Sequence, residues 1–233
     1  MIVVGIETST PQTSVAIGTE NEILAKASVA GAARQESVTP LLQQLLRGCD
    51  LTLDQVGGIA VGVGPGLFTG LRVGVETAKT LAQVAGVPIV GLTSLDALAY
   101  AVRYSSRRIA AVIDARRGEV FSAIYRAVPG GVVRERGYEV HPPDRLVAEL
   151  QAQPDEVLAV GNGAMLYRHV LEEIGSRIEF ASSIAAHPDA AALVELAVPR
   201  LLREEHDRLF DVVPLYLRKS DAEIAWDRRA RGI

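Results

Sequence analysis

Two short polar turns carry the side chains of this chain best suited to chemistry. Glu7-Thr8-Ser9-Thr10 follows the apolar residues 2–6, and Asp114-Ala115-Arg116-Arg117 follows the apolar residues 109–113. A strand that ends in a carboxylate and hydroxyls and then turns back can aim backbone N–H groups and hydroxyls at a phosphate, while the carboxylate holds Mg²⁺ through water. Thr8, Ser9, Thr10 and Asp114 are therefore the candidate nucleotide-binding residues. The competing reading is that strand ends collect turn-forming polar residues whatever the function.

The remaining motifs nominate no catalytic or metal-binding residue. Gly62-Val63-Gly64-Pro65-Gly66 is glycine-rich, but Leu67 and Thr69 stand where G-x-G-x-x-G needs glycine, and no lysine follows as the other phosphate loop requires. His141, His169, His187 and His206 lie far apart in sequence, with no i, i+4 pair to grip a metal from one helix face. Ser9, Ser14 and Ser94 sit in no nucleophile elbow. Cys49 ends the apolar face of a helix and reads as core. The arginine pairs 107–108, 116–117 and 228–229 read as solvated faces.

The elements that must position the two turns recur in one order. Residues 2–6, 13–17 and 23–29 predict a three-stranded meander, followed by a helix from Ser37 with apolar Val38, Leu41, Leu42, Leu45 and Cys49. Residues 59–63 predict a strand, 69–85 a helix, 88–92 a strand and 93–102 a helix. The order then restarts: strands at 109–113, 119–126 and 132–140, a helix at 144–151, a strand at 157–160 and a helix at 164–174. A last helix at 189–204 is assigned to this second half. The repeat predicts an α/β protein of two duplicated lobes, each a mixed sheet flanked by helices: residues 1–104, a smaller lobe at 105–217, and a polar tail at 218–233.

Just before and along the helix at 69–85, small residues recur every fourth position through Gly66, Gly70, Gly74, Ala78 and Ala82. Such a ridge lets another backbone approach closely. It either seats the helix on its own sheet or docks it against a helix of another chain, and each interior glycine costs ~1 kcal/mol that the contact must return.

Composition narrows the function classes. The chain has 233 residues, 48% hydrophobic and 22% charged, with 24 basic and 28 acidic side chains and a net charge of −4. That charge gives no field for holding a polyanion unaided. One cysteine excludes an internal disulfide and agrees with a reducing, cytoplasmic setting. The opening residues lack the basic region of a secretory signal, and the uncharged stretches are too short and too broken by Gly and Pro to span a membrane.

Five segments in order carry a resemblance: Ile6-Glu7-Thr8-Ser9-Thr10, then Gly64-Pro65-Gly66-Leu67-Phe68-Thr69-Gly70-Leu71-Arg72-Val73-Gly74, Ser94-Leu95-Asp96-Ala97-Leu98-Ala99, Asp114-Ala115-Arg116-Arg117-Gly118-Glu119-Val120-Phe121 and Leu215-Tyr216-Leu217-Arg218. Together they resemble the TsaB (YeaZ) family, and the glycine-rich second segment is the specific one. The resemblance implies an actin-like ATPase (ribonuclease H-like) fold and a non-catalytic paralogue of TsaD. That subunit would pair with TsaD, recruit the ATPase TsaE, and help transfer a threonylcarbamoyl group to the adenosine beside the anticodon of tRNAs reading A-starting codons. It would meet tRNA only through the complex, bind no metal and require no cofactor, with at most weak ATP or ADP binding at the lobe interface or the subunit interface. Two departures stand out: Glu36 replaces the histidine common before the serine of the first helix, and Glu7 the more usual aspartate.

On this reading the partner interface comprises Val38, Leu41, Leu42, Leu45, Gly70, Leu71, Gly74, Val75, Ala78 and Ala82, and the isolated chain would pair with itself through the same patch. The alternatives are an autonomous small-molecule kinase or protease-like enzyme of the same fold, and a nucleotide-gated structural protein.

Overall fold

Residues 1–31 and 37–218 are described by the structure, a computed structural model. Glu36 and residues 219–233 of the polar tail lie outside the described residues. The first sheet is built from β1 (Ile2–Glu7), β2 (Gln12–Gly18), β3 (Ile23–Ala30), β4 (Val56–Gly64) and β5 (Ile89–Thr93), in the order β3-β2-β1-β4-β5. β1 to β3 form the antiparallel meander, and β4 and β5 add in parallel. The second sheet contains β6 (Arg108–Arg116), β7 (Glu119–Val128), β8 (Gly131–Arg134), β9 (Glu139–His141), β10 (Val157–Val160) and β11 (Ile178–Phe180). Its order is β8-β7-β6-β10-β11, with β9 also on β7, and the same antiparallel-then-parallel pattern. The two sheets are topological copies, as the repeated element order predicts.

The two-residue period of β1 splits the first lobe into two cores. Val4 and Ile6 face helices α1 (Val38–Gly48) and α2 (Phe68–Ala85), meeting Leu42, Leu45, Val75 and Ala78. Val3 faces the opposite side, where α7 (Ala190–Leu202) supplies Leu193, Val194, Ala197 and Leu201. Burying each such Val or Leu stabilises the lobe by roughly 1.5–3 kcal/mol. α2 ends at Gly86, whose φ of 66° places it in the left-handed conformation that closes helices.

α7 corrects the assignment of the last helix to the second lobe. It packs on β1, β2, β4 and β5 and on α3 (Ser94–Ala101), so the chain returns to the first lobe after building the second. The reason is its alanine- and valine-rich face, which fills the side of the first sheet that α1 and α2 leave bare. Three smaller differences are local. The strand read at 132–140 is split into β8 and β9 by a turn in which Glu135 N–H bonds Ile124 O at 2.8 Å. The helix read at 144–151 is α4 (Pro143–Gln151), and the helix read at 164–174 is broken into α5 (Asn162–Leu166), α6 (Arg168–Leu171) and a 3-10 turn, leaving room for β11. Ser37 precedes α1 without a side-chain capping bond to it. No helix among the described residues is long and apolar enough to cross a membrane.

Candidate functional site

The candidate side chains of the β1–β2 turn are all turned inward. Glu7 and Ser9 are fully buried, and Thr8 and Thr10 nearly so. Glu7 Oε1 accepts the Ser9 N–H at 2.7 Å and Oε2 accepts the Ser94 hydroxyl at 2.8 Å. Gly62 makes room for this carboxylate, since a Cβ there would collide with Oε2. Burial pushes the Glu7 carboxyl above its ordinary value, opposed by the hydrogen bonds from Ser9 and Ser94. The Thr8 hydroxyl donates to Gly70 O at 2.8 Å, and Thr10 Oγ1 lies 3.0 Å from His187 Nδ1.

The small-residue ridge of α2 explains why the turn is closed. A Cβ at Gly66 would strike Ser9 O, one at Gly70 would strike Thr8 O, and one at Gly74 would strike Thr8 Oγ1. The helix is thus seated directly on the turn, and only glycine allows the approach. This corrects the expected interface. Gly70, Leu71, Gly74, Val75, Ala78 and Ala82 are buried inside their own lobe, as are Val38, Leu42 and Leu45, while Leu41 is half-buried against the same core. Intradomain packing is the ridge's role. It also removes Thr8, Ser9 and Thr10 as phosphate ligands: two hydroxyls are engaged within the fold, the third is sealed, and no backbone there faces open space. The residues present do not fit a nucleotide phosphate at this turn.

The β6–β7 turn is built differently. Asp114 is mostly buried, and its N–H donates to Asn162 Oδ1 at 3.1 Å; its carboxylate accepts the Arg116 N–H at 2.8 Å and pairs with the Arg116 guanidinium at 3.3 Å. Arg116 and Arg117 take φ of 65° and 58°, left-handed values that tighten the hairpin and leave both side chains exposed. A cavity of about 120 Å³ separates this turn from the start of α2, lined by Gly66, Phe68, Asp114, Arg116, Tyr216 and Arg218 among others.

Several polar groups that spacing alone did not single out join these elements. Asp96, at the start of α3, accepts the hydroxyls of Tyr125 at 2.7 Å and Tyr138 at 2.9 Å, tying the first lobe to the second. Burial and the Asp96 charge push Tyr125 far up, and burial holds Tyr138 up at about 12. His141 Nε2 lies 2.8 Å from the Ser122 hydroxyl, but both residues are buried. Neither hydroxyl–imidazole pair, Ser122–His141 or Thr10–His187, offers its hydroxyl to a substrate. A strand alternation with an inward-facing Ser122 was the available signal for the first. Among the described residues, no group of three or more His, Cys, Asp or Glu is placed to hold a metal ion.

This architecture and these segments match known proteins. Residues 24–226 match the family described as "TsaD: tRNA N6-adenosine threonylcarbamoyltransferase". The tRNA threonylcarbamoyladenosine biosynthesis protein TsaB of Bacillus subtilis (strain 168) is 30% identical over 235 residues, covering 97% of this chain and 98% of its own. A crystal structure from Pseudomonas aeruginosa, of an uncharacterized protein with similarity to peptidase YeaZ, is 28% identical with a TM-score of 0.81, covering 93% of this chain and 99% of that one. The activator of the 2-hydroxyisocaproyl-CoA dehydratase from Clostridium difficile, solved with bound ADPNP, shares the fold alone, at 10% identity and a TM-score of 0.51 over 89% of this chain and 99% of its own. The fold is that of the actin-like ATPases, and by family match and full-length similarity the chain belongs to the TsaB (YeaZ) family within the wider TsaD group.

Proposed function

We propose that this chain is a non-catalytic subunit in the making of threonylcarbamoyladenosine in tRNA, acting by pairing with a TsaD-type catalytic paralogue and helping to recruit a TsaE-type ATPase. The observation that carries the reading is the closed β1–β2 turn, where α2 occupies the ground on which a catalytic member of this architecture would handle phosphate. Family membership supplies the reaction.

With the ridge committed to its own lobe, the docking face is the outward side of α1 and α2. Gln44, Arg72, Glu76, Thr80 and Val84 are exposed there, with Leu41, Val73 and Thr77 half-buried between them. In the absence of the paralogue this same face pairs two copies of the chain. No cofactor is required, tRNA is reached only through the complex, and ATP or ADP binds weakly at the subunit interface. The setting is cytoplasmic.

The test is reconstitution with TsaD, TsaE, tRNA and threonylcarbamoyl-adenylate, with and without this chain. Modified tRNA should form only in the complete mixture. Product formed equally well without the chain, or by the chain alone, overturns the reading.

A further inference from the structure

Residues 207–218, after α7, cross from the first lobe to the second along the mouth of the space between the sheets. The segment is fastened to the first lobe at several points. Asp207 N–H bonds Ile89 O at 2.9 Å, Asp207 Oδ2 accepts the Gly91 N–H at 2.8 Å, and Val212 is buried in the core beneath α1 and α2. Leu215 N–H then bonds Val63 O at 2.7 Å, which brings the chain to the end of β4.

From there it makes a bridge. The Tyr216 ring stacks on Phe68 with centroids 5.0 Å apart, its hydroxyl accepts the Arg72 Nε–H at 3.1 Å, and the Arg72 guanidinium lies 4.1 Å over the Phe68 ring. Those contacts hold the start of α2. Leu217 packs against the core of the second lobe, and Arg218 pairs with Glu119, the first residue of β7, at 2.8 Å. Within four residues the chain therefore passes from the first lobe's helix to the second lobe's hairpin. The cavity beneath is about 120 Å³, against the ~300 Å³ or more of pockets that enclose small ligands.

We propose that Leu215-Tyr216-Leu217-Arg218 is a built-in tie that holds the two lobes closed without any ligand and keeps the space between them too small for a nucleotide. Arg218–Glu119 is the second-lobe clasp, and Tyr216 on Phe68 and Arg72 the first-lobe clasp. The Asp96–Tyr125–Tyr138 cluster is a separate junction that persists when the tie is released. The tie is independent of which partner or reaction the chain serves.

The experiment is a distance measurement between spin labels on the full chain, diluted with unlabelled chain so that only pairs within one molecule are read, one at Asn21→Cys in the β2–β3 turn and one at Leu166→Cys on α5, both exposed positions, in a Cys49→Ala background. The chain with its tie intact should give one narrow distribution that Mg-ATP does not move. Tyr216→Ala/Arg218→Ala should broaden it and shift it to longer distance. Arg218→Ala alone should do so in part, and Arg218→Glu paired with Glu119→Arg should restore the narrow form. Arg218→Ala removes only a part-buried ion pair and leaves the buried cores untouched, so it remains informative should the double variant not fold. A folded Arg218→Ala chain with an unchanged distribution, an intact chain with a broad one, or a shift of the intact chain on adding Mg-ATP would overturn the proposal.

Discussion

The β1–β2 turn and the β6–β7 turn hold equivalent places in duplicated sheets, yet α2 covers the first while the second faces open space. Both follow a strand paired antiparallel on one side and parallel on the other, and both begin with a carboxylate that accepts a backbone N–H two residues on. The difference lies in the helix above. α2 has 18 residues and a glycine ridge that beds onto Thr8 and Ser9. Its counterpart α5 has five residues; Asn162 accepts the Asp114 N–H and Gly163 beds on the Ile113–Asp114 backbone, but Arg116 and Arg117 beyond stay exposed. Turns at equivalent places in the two sheets can thus be a structural keystone or an exposed hairpin, and the length of the packing helix separates them.

The largest effect should come from filling the ridge. Gly74→Leu drives a side chain into Thr8 and is expected to prevent folding, while Gly74→Ala should cost about 1–3 kcal/mol by overpacking. Chemical denaturation checks both. A Gly74→Leu chain that folds normally and loses only its partner would reinstate the ridge as an interface. Next in size is Thr8→Val, which keeps the shape but strips the hydroxyl from the buried Gly70 carbonyl. The carbonyl keeps its helical partner, the Gly74 N–H, so the loss is that of one buried hydrogen bond, ~0.5–1.5 kcal/mol.

Glu7→Gln sharpens the same contrast through pH. The folded chain holds the Glu7 proton more tightly than the unfolded chain, because burial raises its pKa above the ordinary 4.5. The stability it contributes is complete below 4.5 and is lost as pH rises through the folded value. The melting temperature of Glu7→Gln relative to the parent chain should therefore increase across that rise. A flat difference would show that Glu7 is not a desolvated carboxyl.

Much of this was legible in the sequence, for physical reasons that also mark where legibility ends. The apolar runs and turns give the duplicated order of strands, and α2 reads cleanly because polar and apolar stripes follow the helical period together. The ridge was visible, but its direction was not. Small residues every fourth position look the same whether they meet a foreign helix or the chain's own Thr8, which is 62 residues from Gly70. α7 was assigned to the wrong lobe for a related reason: its apolar face specifies burial, and nothing local states against which sheet. β11 has only three residues and offers no period to read. The pairing of Asp96 with Tyr125 and Tyr138 depends on the meeting of two lobes, which spacing along one chain cannot encode.

The smallest effect should come from Arg117→Gly in the open turn. Arg117 adopts a φ of 58°, a left-handed conformation that costs a residue with a Cβ roughly 1–2 kcal/mol. Glycine adopts it freely but has more backbone freedom to lose on folding, a penalty of about 0.5–1 kcal/mol. The two backbone terms oppose each other and leave only the contact of Arg117 to lose, so the melting temperature should fall by less than for Thr8→Val. A loss as large as that of Thr8→Val would mean that the second turn, too, is anchored by its side chains, and the contrast between the two lobes would fall.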